Sequence, residues 1–344
     1  MIEDRLLHGL DMFILAGDVT ERLIQMNETV GHQVIDWIKR FLRQCKKHNV
    51  VAFVLLGTPS HDWDQTAWFV TENQEIGCEL YYADKVSVVR IESLKLDILA
   101  VPDEAYPTPE LIWEEVTRVL INAQLTTVHF CIMHGFFDFQ IPPTLNLKSH
   151  SSEKYLNITR YLIFIGHDHI TKVHERIIVH GSLARLRHGE EGPKGFYMAM
   201  VDRETGEYRL QFVENHWAKL FIQIRLDDTL TNEQLIQQIK TTIQSLPNDS
   251  WIQLIASRDM LHQVGMSEWR KQHPEFNWSF SPTNDKRNGA GEEYAFKITN
   301  KSISVKRSNV VEQVLGRLQE KDIHPEVMNA CKQYLEEYVE NVRD

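Results

Sequence analysis

Apolar residues arrive along this chain in short runs, and four of those runs open directly into Gly, Asp or His. Met12 to Ala16 ends at Gly17-Asp18, Val50 to Leu56 at Gly57, Thr127 to Met133 at His134-Gly135, and Tyr161 to Ile165 at Gly166-His167-Asp168-His169. Runs that are continuous rather than alternating predict strands buried on both faces. Val86 to Ile91, Leu96 to Val101 and Arg176 to Val179 read as further strands, and Gly195 to Val201 with Glu207 to Val213 as a hairpin across Glu204-Thr205-Gly206. Val34, Ile35, Ile38, Phe41, Leu42 and Cys45 recur at helical spacing, which predicts an amphipathic helix over about Thr29 to Lys47. Pro109 opens another helix, running to about Ala123, with Pro in the first turn where it is tolerated. Strands alternating with helices predict a layered α/β fold, in which sites gather at the C-terminal ends of strands.

Beyond His216 the texture changes. Leu220, Ile222 and Ile224 alternate with Phe221, Gln223 and Arg225, a helix is expected over Thr231 to Leu246, and a strand over Trp251 to Ala256. This pattern predicts a small α+β domain. A polar loop is expected from Asn284 to Glu293, followed by two apolar helical stripes, one through Val310, Val314 and Leu318 and one through Val327, Cys331, Leu335 and Val342. The division this suggests is 1–215, 216–306 and 307–344.

Bulk composition narrows the picture. A length of 344 residues allows more than one domain. No stretch of about eighteen apolar residues is present, so no membrane span is expected. The first residues, Met1-Ile2-Glu3-Asp4-Arg5, lack the basic-then-apolar order of a signal peptide. The four cysteines are far apart and form no CxxC pair, which predicts free thiols in a cytoplasmic protein. The net charge of −11 argues against a general nucleic-acid binder, though not against a local basic groove or a partner that carries the DNA affinity.

The candidate chemistry lies at the strand ends: Asp18, His61 with Asp62, His134, His167, His169 and His180. Divalent transition metals favour mixed imidazole and carboxylate sites. A carboxylate such as Asp18 can bridge two ions with imidazoles filling the outer positions, and two metals roughly 3.5–4 Å apart can clamp a phosphate and activate a water. His61, next to such a site, is expected to stabilise the transition state or protonate the leaving oxygen, with Asp62 fixing its tautomer. Each piece also has a bland reading. Gly17-Asp18 alone is a turn or cap, His61-Asp62 a surface pair, His134 a satisfied core residue, and His180 structural. Ligand-type residues at four strand ends in one order are much harder to attribute to chance.

That order, Gly17-Asp18, Ser60-His61-Asp62, His134, Gly166-His167-Asp168-His169 and Gly181-Ser182, resembles the calcineurin-like metallophosphoesterases. Within them it is most similar to SbcD-type DNA repair and recombination exonucleases, including those of phages. Gly181-Ser182-Leu183-Ala184-Arg185-Leu186 followed by Glu190-Glu191-Gly192-Pro193-Lys194-Gly195-Phe196 carries that closer likeness. The resemblance implies a β-sandwich flanked by helices over 1–215, a small α+β capping domain over 216–306, and a C-terminal helix pair over 307–344 that grips an SbcC-like SMC-type ATPase. It implies a metal-dependent DNA nuclease holding two divalent ions, expected to be Mn2+. Asp18 would bridge them, His134 and His167 would bind one ion and His169 the other, and His61 would be the catalytic His. Homodimerisation is expected by resemblance alone. Arg185, Arg187 and Lys194 become candidates for DNA phosphate contacts, with a solvated basic loop as the alternative.

Two departures from the family pattern stand out. Its Gly-Asn-His-Asp motif is here Gly57-Thr58-Pro59-Ser60-His61-Asp62, with Ser60 in the place of a ligating Asn. Its opening Asp-x-His strand has no counterpart before Met12, which leads to the expectation of a missing N-terminal segment or a decayed site. A small-molecule phosphodiesterase or protein phosphatase of the same fold, and a non-catalytic scaffold, are the competing expectations.

Overall fold

The computed structural model describes residues 7, 9–25, 27, 29–103, 106–142, 144–145, 147–227, 229–257, 260–261 and 266–283. The chain divides into two compact units, Met1–Asp285 and Lys286–Asp344. The second unit, with both expected tail helices, and the expected loop from Asn284 lie outside the described residues.

The described residues form a mixed α/β structure. Strands β1 (Met12–Ala16), β2 (Val51–Leu55) and β3 (Leu80–Ala83) make a parallel three-stranded sheet. Helices α1 (Thr29–His48) and α2 (Trp68–Ile76) connect them. β2 shows why a strand can be apolar throughout. Ala52 and Val54 face Ile38, Phe41 and Leu42 of α1, while Val51, Phe53 and Leu55 join the core between sheets. The amphipathic stripe predicted from residue 29 is the buried face of α1.

The larger sheet has the order β4-β5-β6-β7-β9-β8. It comprises β4 (Ser87–Ile91), β5 (Leu96–Val101), β6 (Phe130–His134), β7 (Ile163–Gly166), β8 (Lys172–His174) and β9 (Ile177–Val179). β5, β6, β7 and β9 are parallel, and β4 and β8 pair antiparallel at the edges. Helices α3 (Pro109–Asn122) and α4 (Ser152–Ile158) pack on one face through Ile112, Val116, Leu120 and Tyr155. The other face gives Ile98, Ala100, Ile132, Leu162 and Ile178 to the core shared with the first sheet. The hairpin β10 (Gly195–Val201) and β11 (Tyr208–Glu214) adds Tyr197, Ala199 and Leu210 to that core.

The residues after 216 build a separate core. β12 (Phe221–Arg225), β13 (Trp251–Ala256) and β14 (Asn277–Pro282) form a parallel sheet with α5 (Asn232–Ile243) and α6 (Met266–Gln272). Ile224, Leu235, Ile239, Leu254, Trp269 and Trp278 pack together there. Among the described residues no helix is long and apolar enough to cross a membrane. Cys45, Cys78 and Cys131 are buried free thiols, as expected; Cys331 lies outside the described residues.

Candidate metal centre

Strand register brings the polar ends together. β1 and β2 pair with Ala16 opposite Leu55, so Gly17-Asp18 and Gly57-Thr58 leave the first sheet side by side. β6 and β7 pair with His134 opposite Gly166, so His134 and His167 leave the second sheet together. The two sheets join here, because His134 donates its Nδ1–H to the carbonyl of Ala16 at 2.7 Å. Gly166 has no room for a side chain: a Cβ would fall 2.2 Å from the Ala16 carbonyl oxygen and 2.9 Å from His134 Nδ1. Asp18 and His167 both hold left-handed backbone, at φ of 51° and 97°. Non-glycine residues rarely adopt such conformations unless their surroundings enforce them.

The result is a convergence of three ligand-type atoms. Asp18 Oδ2 lies 3.1 Å from His134 Nε2 and 4.0 Å from His167 Nδ1, and the two nitrogens are 3.2 Å apart. All lie within 4.8 Å of one another. With Nδ1 donating to Ala16, a neutral His134 must present the Nε2 lone pair to the cluster. A carboxylate and two imidazoles at this spacing fit a divalent transition metal.

Electrostatics agree with that fit. Burial alone would push the Asp18 carboxyl up, but His134, the Thr58 N–H and His61 hold it well below the usual carboxylate range. Burial pulls His134 down, yet its bond to Asp18 and the Asp18 charge raise it. His167 is pushed down by burial and then by the His134 charge. A bound cation would take the place of the proton that His134 otherwise shares with Asp18.

The other expected residues sort plainly. His61 belongs to the cluster, its Nδ1 3.1 Å from Asp18 Oδ2. Asp62 does not set the His61 tautomer as expected; Asp18 is the carboxylate bonded to that ring. Asp62 is fully buried and accepts the N–H groups of Gly57, Asp18 and Thr20 at 2.8, 2.9 and 3.1 Å, tying the two loops of the first sheet together. Ser60 is exposed, and its carbonyl accepts the Trp63 indole N–H. Pro59, fixed for a helical start, winds Pro59–Asp62 into a single turn, which lifts Ser60 away and leaves Thr58 at the strand end. The residue beside Asp18 is therefore Thr58, whose N–H reaches Asp18 Oδ1 at 2.7 Å.

His169 is not among the three converging ligands. Its Nδ1 lies 2.9 Å from Glu190 Oε1. Lys194, read from sequence as a phosphate contact, is buried and donates to the His169 carbonyl, Ser182 Oγ and Glu190 Oε2. Arg185 holds the carbonyls of Gly192, Ala218 and Lys219, and Arg187 Nε sits 3.4 Å from Glu190 Oε1. Two of the three basic candidates are thus spent on holding loops. His180 donates its Nδ1–H to the Gly181 carbonyl, burial lowers its pKa to about 4, and its Nε2 is buried beside Gly166 with no hydrogen-bond partner.

Sequence reasoning did not reach Asp103, whose Oδ2 is 3.6 Å from His167 Nδ1, nor Thr58. Asp103 follows Pro102 at the end of β5, so the strand-end rule used for the other four runs would have found it.

No family profile matches the sequence, and no curated protein matches it. Among solved structures 24 chains match. One, titled only as a crystal structure, covers 53% of this chain and 73% of its own at 15% identity and a TM-score of 0.31, a likeness that carries no argument.

Proposed function

We propose that this chain is a metal-dependent phosphoesterase acting on the phosphodiester backbone of DNA, as a nuclease subunit that works with an SMC-type ATPase. The observation that carries the phosphoesterase reading is the meeting of Asp18, His134 and His167 from three separate strand ends, with His61 bonded to the same carboxylate. Two facing sheets with helices outside them also support the layering of the calcineurin-like family. A divalent ion bound at these atoms would supply Lewis-acid polarisation of the phosphoryl group. The chain supplies the rest. The Ala16 carbonyl fixes which His134 nitrogen faces the site. Asp18 accepts from Nδ1 of His61 and so orients the ring, and His61 would act as an imidazolium that gives its Nε2 proton to the leaving oxygen. The ATPase and the 307–344 segment enter through the resemblance, and the α+β unit after 216 would be the cap over the substrate.

The engagement of Arg185 and Lys194 favours a second reading, a phosphodiesterase for small substrates with little grip on DNA. The experiment compares Mn2+-dependent cleavage of linear and hairpin DNA with that of a small aryl phosphodiester, for the wild type and His61→Asn. Nuclease activity lost in the variant supports the first reading, and small-ester activity without DNA cleavage supports the second. No turnover of either class, alone or with the ATPase, rejects both and leaves a scaffold.

A further inference from the structure

Thr58 sits at the start of the turn Pro59–Asp62, the position where a Thr hydroxyl normally caps the first N–H groups. It makes no such cap. Its Oγ1 instead points into the cluster, 3.3 Å from Asp18 Oδ2, 3.4 Å from His134 Nε2, 3.2 Å from His167 Nδ1 and 3.2 Å from Asp103 Oδ2. One hydroxyl has one proton and can serve only one of these acceptors. The positive charge these atoms gather around can be the proton that His134 shares with Asp18 or a bound cation in its place.

The geometry says where that charge belongs. Oγ1 of Thr58, Oδ2 of Asp18, Nε2 of His134 and Nδ1 of His167 are the corners of a tetrahedron whose edges are 3.1, 3.2, 3.2, 3.3, 3.4 and 4.0 Å. A regular tetrahedron with edges of ~3.4 Å has its centre about 2.1 Å from every corner, the bond length of a divalent transition metal to oxygen and imidazole nitrogen.

We propose that Thr58 Oγ1 is the fourth donor of a one-ion site, and that Asp103 is its positioning residue. Thr58 donates its proton to Asp103 Oδ2, which turns an oxygen lone pair toward the ion and makes that oxygen a better donor. The site then needs neither Ser60 nor His169. This rests on the metal reading above and assigns its donor set and stoichiometry.

The test is calorimetric titration of Mn2+ alone and of Zn2+ alone into the full chain, with electron paramagnetic resonance of unbound Mn2+ as a second readout. The expected result is one ion per chain. Thr58→Val keeps the shape and removes the hydroxyl, and is expected to weaken binding at least tenfold, while Thr58→Ser restores it. Asp103→Asn weakens binding about tenfold, in the range for a residue that orients a ligand, and His169→Ala leaves affinity unchanged. Thermal melts confirm that each variant folds; if Thr58→Val does not, Asp103→Asn decides. Wild-type affinity in the deciding variant, or two ions with one lost in His169→Ala, overturns the proposal while the metal reading stands. A wild-type chain that binds no ion overturns both.

Discussion

At the scale of single residues, the site depends on where side chains are missing as much as on where they are. Gly166 lets β7 approach the Ala16 carbonyl that orients His134. A methyl group there would press on backbone, which cannot move aside cheaply. Gly166→Ala is therefore expected to lower stability by about 3 kcal/mol, the upper range for overpacking, and to abolish metal binding. Urea denaturation beside a metal titration checks this, and an unchanged midpoint would show that the sheets do not meet so tightly. Asp18, His61, His134 and His167 were legible because each follows an apolar run closely. Thr58 was not: Ser60 directly precedes His61, and only the helical turn begun by Pro59 shows that Thr58, two residues before Ser60, is the residue beside Asp18. The loop role of Lys194 was hidden for a different reason. A Lys in a Gly-containing stretch reads as solvated, and only the fold reveals Glu190, Ser182 and the His169 carbonyl around its ammonium.

At the scale of elements, strands buried on both faces announced themselves, and edges did not. Met12–Ala16 was bounded correctly as an uninterrupted apolar run, and Leu96–Val101 and Trp251–Ala256 as apolar runs broken by one polar residue each, Asp97 and Gln253. β3 and β8 are short and partly exposed, so their sequences carry little pattern. α4 was missed for its brevity, yet it creates an electrostatic liability. His150, just before it, is buried against Phe137 and Tyr155. Burial lowers its pKa from the usual 6.5 to about 4, with the Asp103 charge opposing. The ring is neutral in the fold, and the unfolded chain takes up the proton first. Its contribution to stability is thus complete above pH 6.5 and declines as pH falls toward 4. The loss is on the order of 3 kcal/mol at most. His150→Gln should flatten the acid limb of a urea-stability profile across that window. An equally steep limb in the variant would place the titration elsewhere.

At the scale of the whole molecule, charge and site pull in opposite directions. A net charge of −11 repels a polyanion, and the Arg185 and Lys194 side chains, candidates from sequence for phosphate contacts, are committed to protein carbonyls and to Glu190. Strong DNA binding depends on counterions released by basic groups that touch phosphates, so its logarithmic salt slope counts those contacts. If the nuclease reading holds, this chain alone should bind duplex DNA weakly, with a slope no steeper than about −3, or roughly three phosphates neutralised. Adding the ATPase should steepen the slope while leaving the metal affinity of the chain unchanged, because grip and chemistry would then reside on different polypeptides. Fluorescence anisotropy of labelled duplex across a salt series measures both. A slope steeper than about −6 for the chain alone would mean that basic side chains reorganise around DNA, and the committed roles of Arg185 and Lys194 would have to be abandoned. A shallow slope that the ATPase does not change would turn the argument toward small phosphodiesters, for which the Asp18, His134 and His167 cluster suffices without any basic groove.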